Sequence, residues 1–184
     1  MFNLANIAVV YKSDYGAARS YAIYIAKALN ADLYDLRRIK EFDFSHYDKI
    51  VFGGGLYAGK VNGLHFLSSH ALELTGKKLC VYTTGISDPT LDENVCRTEK
   101  TVKKALPYPI SESIHVFCFR GCIDYDELCF GHRAAMSMLR NVIALKKPEK
   151  LSHDERTILD TYGKAVDFTN MSAADPLIAY LKDD

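Results

Sequence analysis

The chain has 184 residues, 48 % hydrophobic and 25 % charged, a composition that predicts one globular domain over residues 1–184. Its 23 basic and 23 acidic residues cancel, which excludes the basic footprint of a nucleic-acid binder. Five cysteines, odd in number and without a Cys-x-x-Cys pair, suit a reducing cytoplasm better than a disulfide framework.

The N-terminal MFNLANIAVVYKS has no basic start and no small-residue cleavage site, so it reads as a strand and not as a signal peptide. Ile7–Tyr11 is its apolar, β-branched part. From Ala18 the positions Ala22, Ile25, Ala26 and Leu29 recur at helical spacing, and Asn30 can end that helix. A weaker strand is predicted over Asp32–Leu36 and a buried one over Lys49–Phe52, followed at once by Gly53, Gly54 and Gly55. Leu64, Leu67, Ala71 and Leu74 line one face of a second helix closed by Gly76. Residues 79–84 form a fourth strand, 92–106 a polar helix and 114–119 a fifth strand.

Beyond Arg120 the pattern is helical. Residues 126–145 carry Leu128, Ala135, Met138, Leu139 and Val142 on one side, with Arg133, Arg140, Lys146 and Lys147 beside them. Such a stretch either packs on its own sheet, the commoner outcome, or lies on a membrane surface. Residues 146–150 are a polar connection. Ser152 and Glu155 form a capping box ahead of Ile158, Leu159, Tyr162 and Val166, and Pro176 suits the first turn of a last helix through Leu181. Apolar strands alternating with helices predict an α/β three-layer fold: a five-stranded parallel sheet with helices on both faces. No run approaches the ~18 apolar residues of a membrane span.

In such a sheet a ligand sits beyond the carboxyl ends of the strands, where strand order reverses. Three loops stand there. Residues 12–18 place Ser13 and Gly16 before a helix, where free backbone amides and the positive helix end favour a phosphate; a strand-to-helix turn also needs a glycine for its own sake. The loop at 53–61 lies in the stretch GGGLYAGKVNG (53–63), five glycines in eleven positions, with Tyr57 available to cover a planar heterocycle. Residues 84–91 put Gly85 directly after a strand. The six histidines are scattered without metal-ligand spacing, Ser13 has no evident triad partners, and no Gly-x-Gly-x-x-Gly follows the first strand.

On the stretches VVYKSDYGAARSYA, YDKIVFGGGLYAGKVNG, CVYTTGIS and FRGCIDYDEL, the chain resembles the flavodoxin-fold proteins. Within them it is most similar to the flavodoxin-domain, menaquinone-dependent protoporphyrinogen IX dehydrogenases. The resemblance implies a bound FMN. Its phosphate would lie on Ser13, Asp14, Tyr15, Gly16, Ala17 and Ala18. Its ring would be flanked by Gly54, Gly55, Leu56, Tyr57, Ala58 and Gly59 and by Thr84, Gly85 and Ile86. It also implies a small-molecule or quinone redox partner and an oxidoreductase that needs no catalytic side chain, since a flavin carries the electrons. The turn departs from the flavodoxin pattern Ser/Thr-x-Thr-Gly-x-Thr: two threonine hydroxyls are missing, and Asp14 brings a negative charge toward a dianion. Arg19 either offsets that charge or faces solvent. A one-electron carrier and a flavin-free regulatory or interaction domain are the alternatives.

Overall fold

The computed structural model describes residues 6–57 and 59–183; the readings of Met1–Ala5 and of Ala58 lie outside them. The apolar runs are strands β1 (Ile7–Lys12), β3 (Lys49–Tyr57), β5 (Lys78–Gly85) and β6 (His115–Arg120), with the more polar β2 (Asp32–Asp35) at one edge. All five are parallel, in the order β2-β1-β3-β5-β6. The order reverses between β1 and β3, so a crevice opens above their carboxyl ends. This is the flavodoxin-like α/β arrangement that the resemblance implied.

Strand residues alternate between two cores. Val9, Tyr11, Val51, Cys80 and Tyr82 face helix α1 (Ala17–Leu29) and helix α8 (Asp175–Lys182), meeting Tyr21, Ile25, Leu177 and Leu181. Ala8, Val10, Ile50, Phe52, Leu79 and Val81 face the other layer. That layer holds α2 (His65–Ser69), α3 (Ala71–Leu74), α4 (Asp92–Lys104) and α5 (Ile110–Ser113). Each buried aliphatic or aromatic side chain contributes roughly 1.5–3 kcal/mol by leaving water, which is what holds the helices on the sheet. The switch from a period of two in the strands to 3.6 in α1 occurs at Gly16, whose φ of +96° an L side chain rarely adopts. α1 ends on Asn30, left-handed at φ +51°, whose N–H bonds the Ala26 carbonyl.

Several boundaries differ from the sequence reading. The second helix is broken at His70 into α2 and α3. The glycines at 53–55 are not a loop: β3 runs through them to Tyr57, pairs with both neighbours, and turns into an antiparallel hairpin with β4 (Lys60–Val61). Glycine is a poor strand former, yet here the space beside each one is filled by the protein itself. A Cβ on Gly53 would stand 1.9 Å from the Tyr82 ring, and one on Gly54 would stand 2.5 Å from the Asn62 carbonyl.

After β6 the chain forms a short strand, β7 (Cys122–Asp124), before its helix. β7 pairs antiparallel with β8 (Ala165–Asp167), so Val166 belongs to a ribbon and not to the helix that precedes it. The helix expected over 126–145 is α6 (Phe130–Ala144), and it is followed by α7 (His153–Thr161). The capping box is present: Ser152 Oγ accepts from the Glu155 N–H and Glu155 accepts from the Ser152 N–H. α6 does not pack on the sheet. It rests on α7, and Ile143 is its one buried side chain.

Candidate functional site

The β1–α1 turn stands at the switch point. Ser13 is buried, and its Oγ accepts the Gly16 N–H at 3.1 Å, which closes the turn. Ala17 and Ala18 are buried in the first turn of α1, which carries no acidic residue; its first amides therefore face the crevice end unopposed by charge from their own helix. Asp14 is exposed, and its carboxylate accepts from Asn62 Nδ2 at 2.8 Å, which ties the turn to the residue following β4. Arg19 is exposed.

Above the carboxyl ends of β3, β5 and β6 lies a cavity of about 360 Å³. Its floor comes from Ala17, from Leu56 and Tyr57 at the end of β3, and from Thr84, Gly85 and Ile86 after β5. Gly121 and Cys122, just past β6, close one side, and Ile123 and Leu128 lie beyond them. α6 forms the roof with His132, Ala135, Met136 and Leu139. Two contacts fix the floor: the Gly121 N–H donates to the Gly85 carbonyl at 2.7 Å, and the Arg120 guanidinium donates to the Ile86 carbonyl at 3.2 Å. That guanidinium also lies 3.8 Å over the Phe168 ring.

Three rings join the turn, β3 and α6 at the cavity mouth. Tyr57 stacks on His132 at 4.8 Å and meets Tyr15 edge-on at 5.6 Å, while the Tyr15 hydroxyl bonds His132 Nδ1 at 2.6 Å. Tyr57 folds back toward Gly55, where a Cβ would meet its hydroxyl at 2.4 Å. Burial, and then the nearby Asp14 carboxylate, keep that hydroxyl protonated well above the usual tyrosine range.

The structure therefore gathers Tyr15, Ala17, Leu56, Tyr57, Thr84, Gly85 and Ile86 on one cavity, with Ser13 and Gly16 adjacent in the turn. Gly54 and Gly55 are buried within β3 and make room for the protein's own groups, and Gly59 sits exposed at the hairpin tip. The roof was not among the residues singled out. His132 lies 75 positions from Tyr57, and no spacing links them. Gly121, which directly follows an apolar strand as Gly85 does, was the one local signal for the β6 side.

Two thiols flank Tyr15. Cys122 Sγ lies 3.4 Å from the Tyr15 carbonyl, and burial pushes this thiol up. Cys129 is exposed at the start of α6, and the Cys129 N–H donates to the Tyr15 hydroxyl at 3.4 Å. The His132 N–H, and then the Tyr15 hydroxyl, hold the Cys129 thiol below its ordinary value.

The cavity volume is within the range of small-molecule sites, and its walls suit a flat aromatic ring. The turn 13–18 offers an anion the amino end of a thirteen-residue helix at one end of that cavity. The residues present fit a flavin mononucleotide: ring in the cavity, phosphate end at the turn.

Likenesses to individual known proteins are partial or distant. An uncharacterised protein of Methanocaldococcus jannaschii is 32 % identical over 77 residues, which is 41 % of this chain; the chain spans about half (51 %) of that relative's length. A protein of Bacteroides eggerthii described as a flavoprotein is 16 % identical, with a TM-score of 0.48, over 77 % of this chain and 99 % of its own. A Lactobacillus acidophilus flavoprotein solved in complex with FMN is 11 % identical, with a TM-score of 0.45, over 63 % of this chain and 92 % of its own. No residue's role transfers at those levels of likeness. The family model for the flavodoxin domain matches residues 8–150, and with most of its length matched, the chain belongs to the flavodoxin-domain family.

Proposed function

We propose that the protein is an FMN-binding oxidoreductase that passes electrons between a small apolar donor or acceptor and its flavin. The observation that carries this reading is the apolar cavity of about 360 Å³ beside the amino end of α1, at the point where strand order reverses. A bound flavin would supply the two-electron chemistry. The chain's own part is to hold the phosphate end at the turn 13–18 and to present Thr84, Gly85 and Ile86 along the ring edge. The roof would exclude water from one side of the ring. Tyr57, already flat against His132, would offer its edge or face to the ring.

An enzyme fits better than a soluble shuttle for two reasons. The balanced charge gives no single-sign field to steer a redox protein. The roof residues Ala135, Met136 and Leu139 extend the apolar wall beyond the floor. A quinone as acceptor and a reduced porphyrin as donor, the pair suggested by the resemblance to protoporphyrinogen dehydrogenases, would both find such a wall congenial.

The test is turnover of a porphyrinogen and of quinones by the FMN-loaded protein, beside cytochrome reduction at low and high salt. Quinone turnover that is insensitive to salt is expected. Fast, salt-sensitive cytochrome reduction with no quinone or porphyrinogen turnover overturns the enzyme reading and leaves a carrier.

A further inference from the structure

Residues 122–167 leave the sheet after β6 and return to it as one excursion. They leave through β7 and come back through β8, and these strands pair with each other, Cys122 opposite Asp167 and Asp124 opposite Ala165. Directly below them the Phe168 N–H donates to the Gly121 carbonyl at 3.1 Å. Both ends of the excursion therefore stand side by side on a two-stranded stem. α6 and α7 ride on that stem, packed on each other, and α6 buries Ile143 alone. The cavity roof belongs to this excursion, whereas the floor at Leu56 and Thr84 belongs to β3 and β5, each paired on both sides. Strands bonded on both sides do not part, but a unit attached by one stem can rock. A planar ligand lying between floor and roof enters and leaves as the roof moves.

Apart from the stem, hydrogen bonds and ion pairs cross from the excursion to the rest of the protein at two places among the described residues. One is the mouth, where Tyr15 meets His132 and Cys129. The apolar cluster of Ile123, Tyr125 and Leu128 rests on Tyr15 and Ile86 beside it. The other place is Asp154, in the first turn of α7. Its Oδ1 accepts from Asn94 Nδ2 at 2.9 Å, and its Oδ2 accepts from the Arg97 guanidinium at 2.7 Å. Asn94 and Arg97 stand on α4, which Val102 fixes in the core against the sheet.

Asn94 is 3 % exposed and its amide is fully used. Nδ2 also donates to the Asp88 carbonyl at 2.9 Å, and Oδ1 accepts from Arg97. Holding the loop after β5 on α4 takes only the first of these bonds. The bond to a carboxylate 60 positions away ties that loop, which continues from the floor residues 84–86, to the unit that carries the roof. A buried amide is costly to leave unmatched, and this one has all its partners only while the excursion is closed.

We infer that residues 122–167 are a lid hinged on the β7–β8 stem, and that Asp154, held by Asn94 and Arg97, is the latch that keeps it shut over the cavity. That the lid gates a flavin rests on the function proposed above; the hinge and the latch do not.

The test follows FMN fluorescence in stopped flow with the full chain, wild type and Asp154→Ala. The latch opposes opening with and without ligand, so Asp154→Ala raises the association and dissociation rates together, each about tenfold, the worth of one charge-assisted hydrogen bond. Their ratio stays unchanged. Asp160→Ala, which removes an exposed carboxylate from the same helix, changes neither rate. A flavin-free arm uses Thr84→Cys, at a floor position 5 % exposed, and follows maleimide labelling on the peptide that carries it. Adding Asp154→Ala speeds that labelling about tenfold. Cys80, in the core, stays unlabelled in both, and retained far-ultraviolet dichroism separates an open lid from an unfolded chain. Faster dissociation with unchanged association means a damaged site and overturns the latch. Unaltered labelling at position 84 overturns the lid. Faster labelling in a protein that does not quench FMN sinks the flavin reading and leaves the lid standing.

Discussion

The tyrosine at 57 combines two readings of one side chain. As a ring after three glycines it suggested a cover for a planar ligand, and the structure places it on the cavity, stacked on His132. Tyr57→Ala removes that surface while leaving β3 and its ladder intact. Flavin affinity is expected to fall about fivefold, the equivalent of about 1 kcal/mol for an aromatic pair, with no change in dichroism. Affinity equal to the wild type would remove Tyr57 from the site. At the neighbouring thiol the sign follows from its surroundings. The His132 amide and the Tyr15 hydroxyl favour the thiolate of Cys129, so its labelling by iodoacetamide should reach half its plateau at a lower pH than that of N-acetylcysteine. Tyr15→Phe should move that midpoint up. Cys80, pushed up to about 12 by burial, should stay unlabelled in the folded protein. A Cys129 profile that coincides with the free thiol contradicts this geometry.

Elements were legible in proportion to how far their own residues decide them. β1, β5 and α1 are continuous apolar runs or regular 3.6-residue stripes, so their patterns announce them. β3 was read four residues long because glycine reads as a break. Its actual length depends on Tyr82 lying across Gly53 and on the Asn62 backbone passing Gly54, contacts 29 and eight positions away that no local pattern reports. β7 and β8 hold three residues each, too few to show alternation, and exist because each supplies the other's hydrogen bonds. α7 is the opposite case, with a start written into Ser152 and Glu155. Ser152→Ala removes an acceptor for the Glu155 amide and is expected to cost about 1 kcal/mol, lowering the melting temperature by about 2–4 °C. An unchanged melting temperature would mean that packing, and not the cap, sets this helix.

At the scale of the molecule, the switch point explains why a site assembles from distant pieces. Parallel strands deliver the ends of β1, β3, β5 and β6 to one edge, so Ser13, Tyr57, Gly85 and Gly121 become neighbours. The sequence showed that edge because each strand ends in small residues. It did not show the roof, because α6 meets the floor through His132 against Tyr15 and Tyr57, partners 117 and 75 positions away that no spacing announces, and its apolar residues divide between roof and outer surface. The central claim is that the turn at 13–18 and the cavity together hold FMN, and flavin fluorescence titrated with protein tests it most directly. FMN should be quenched saturably and bind more tightly than FAD, since one helix end serves one phosphate. Gly16→Val should abolish binding: at φ +96° a Cβ there is strained and projects into open space at the turn. Gly76→Val, also at a positive φ (+81°) with open space around it after α3, should retain it. Equal affinity for FMN and FAD, no quenching by either, or full FMN binding by Gly16→Val would contradict the account.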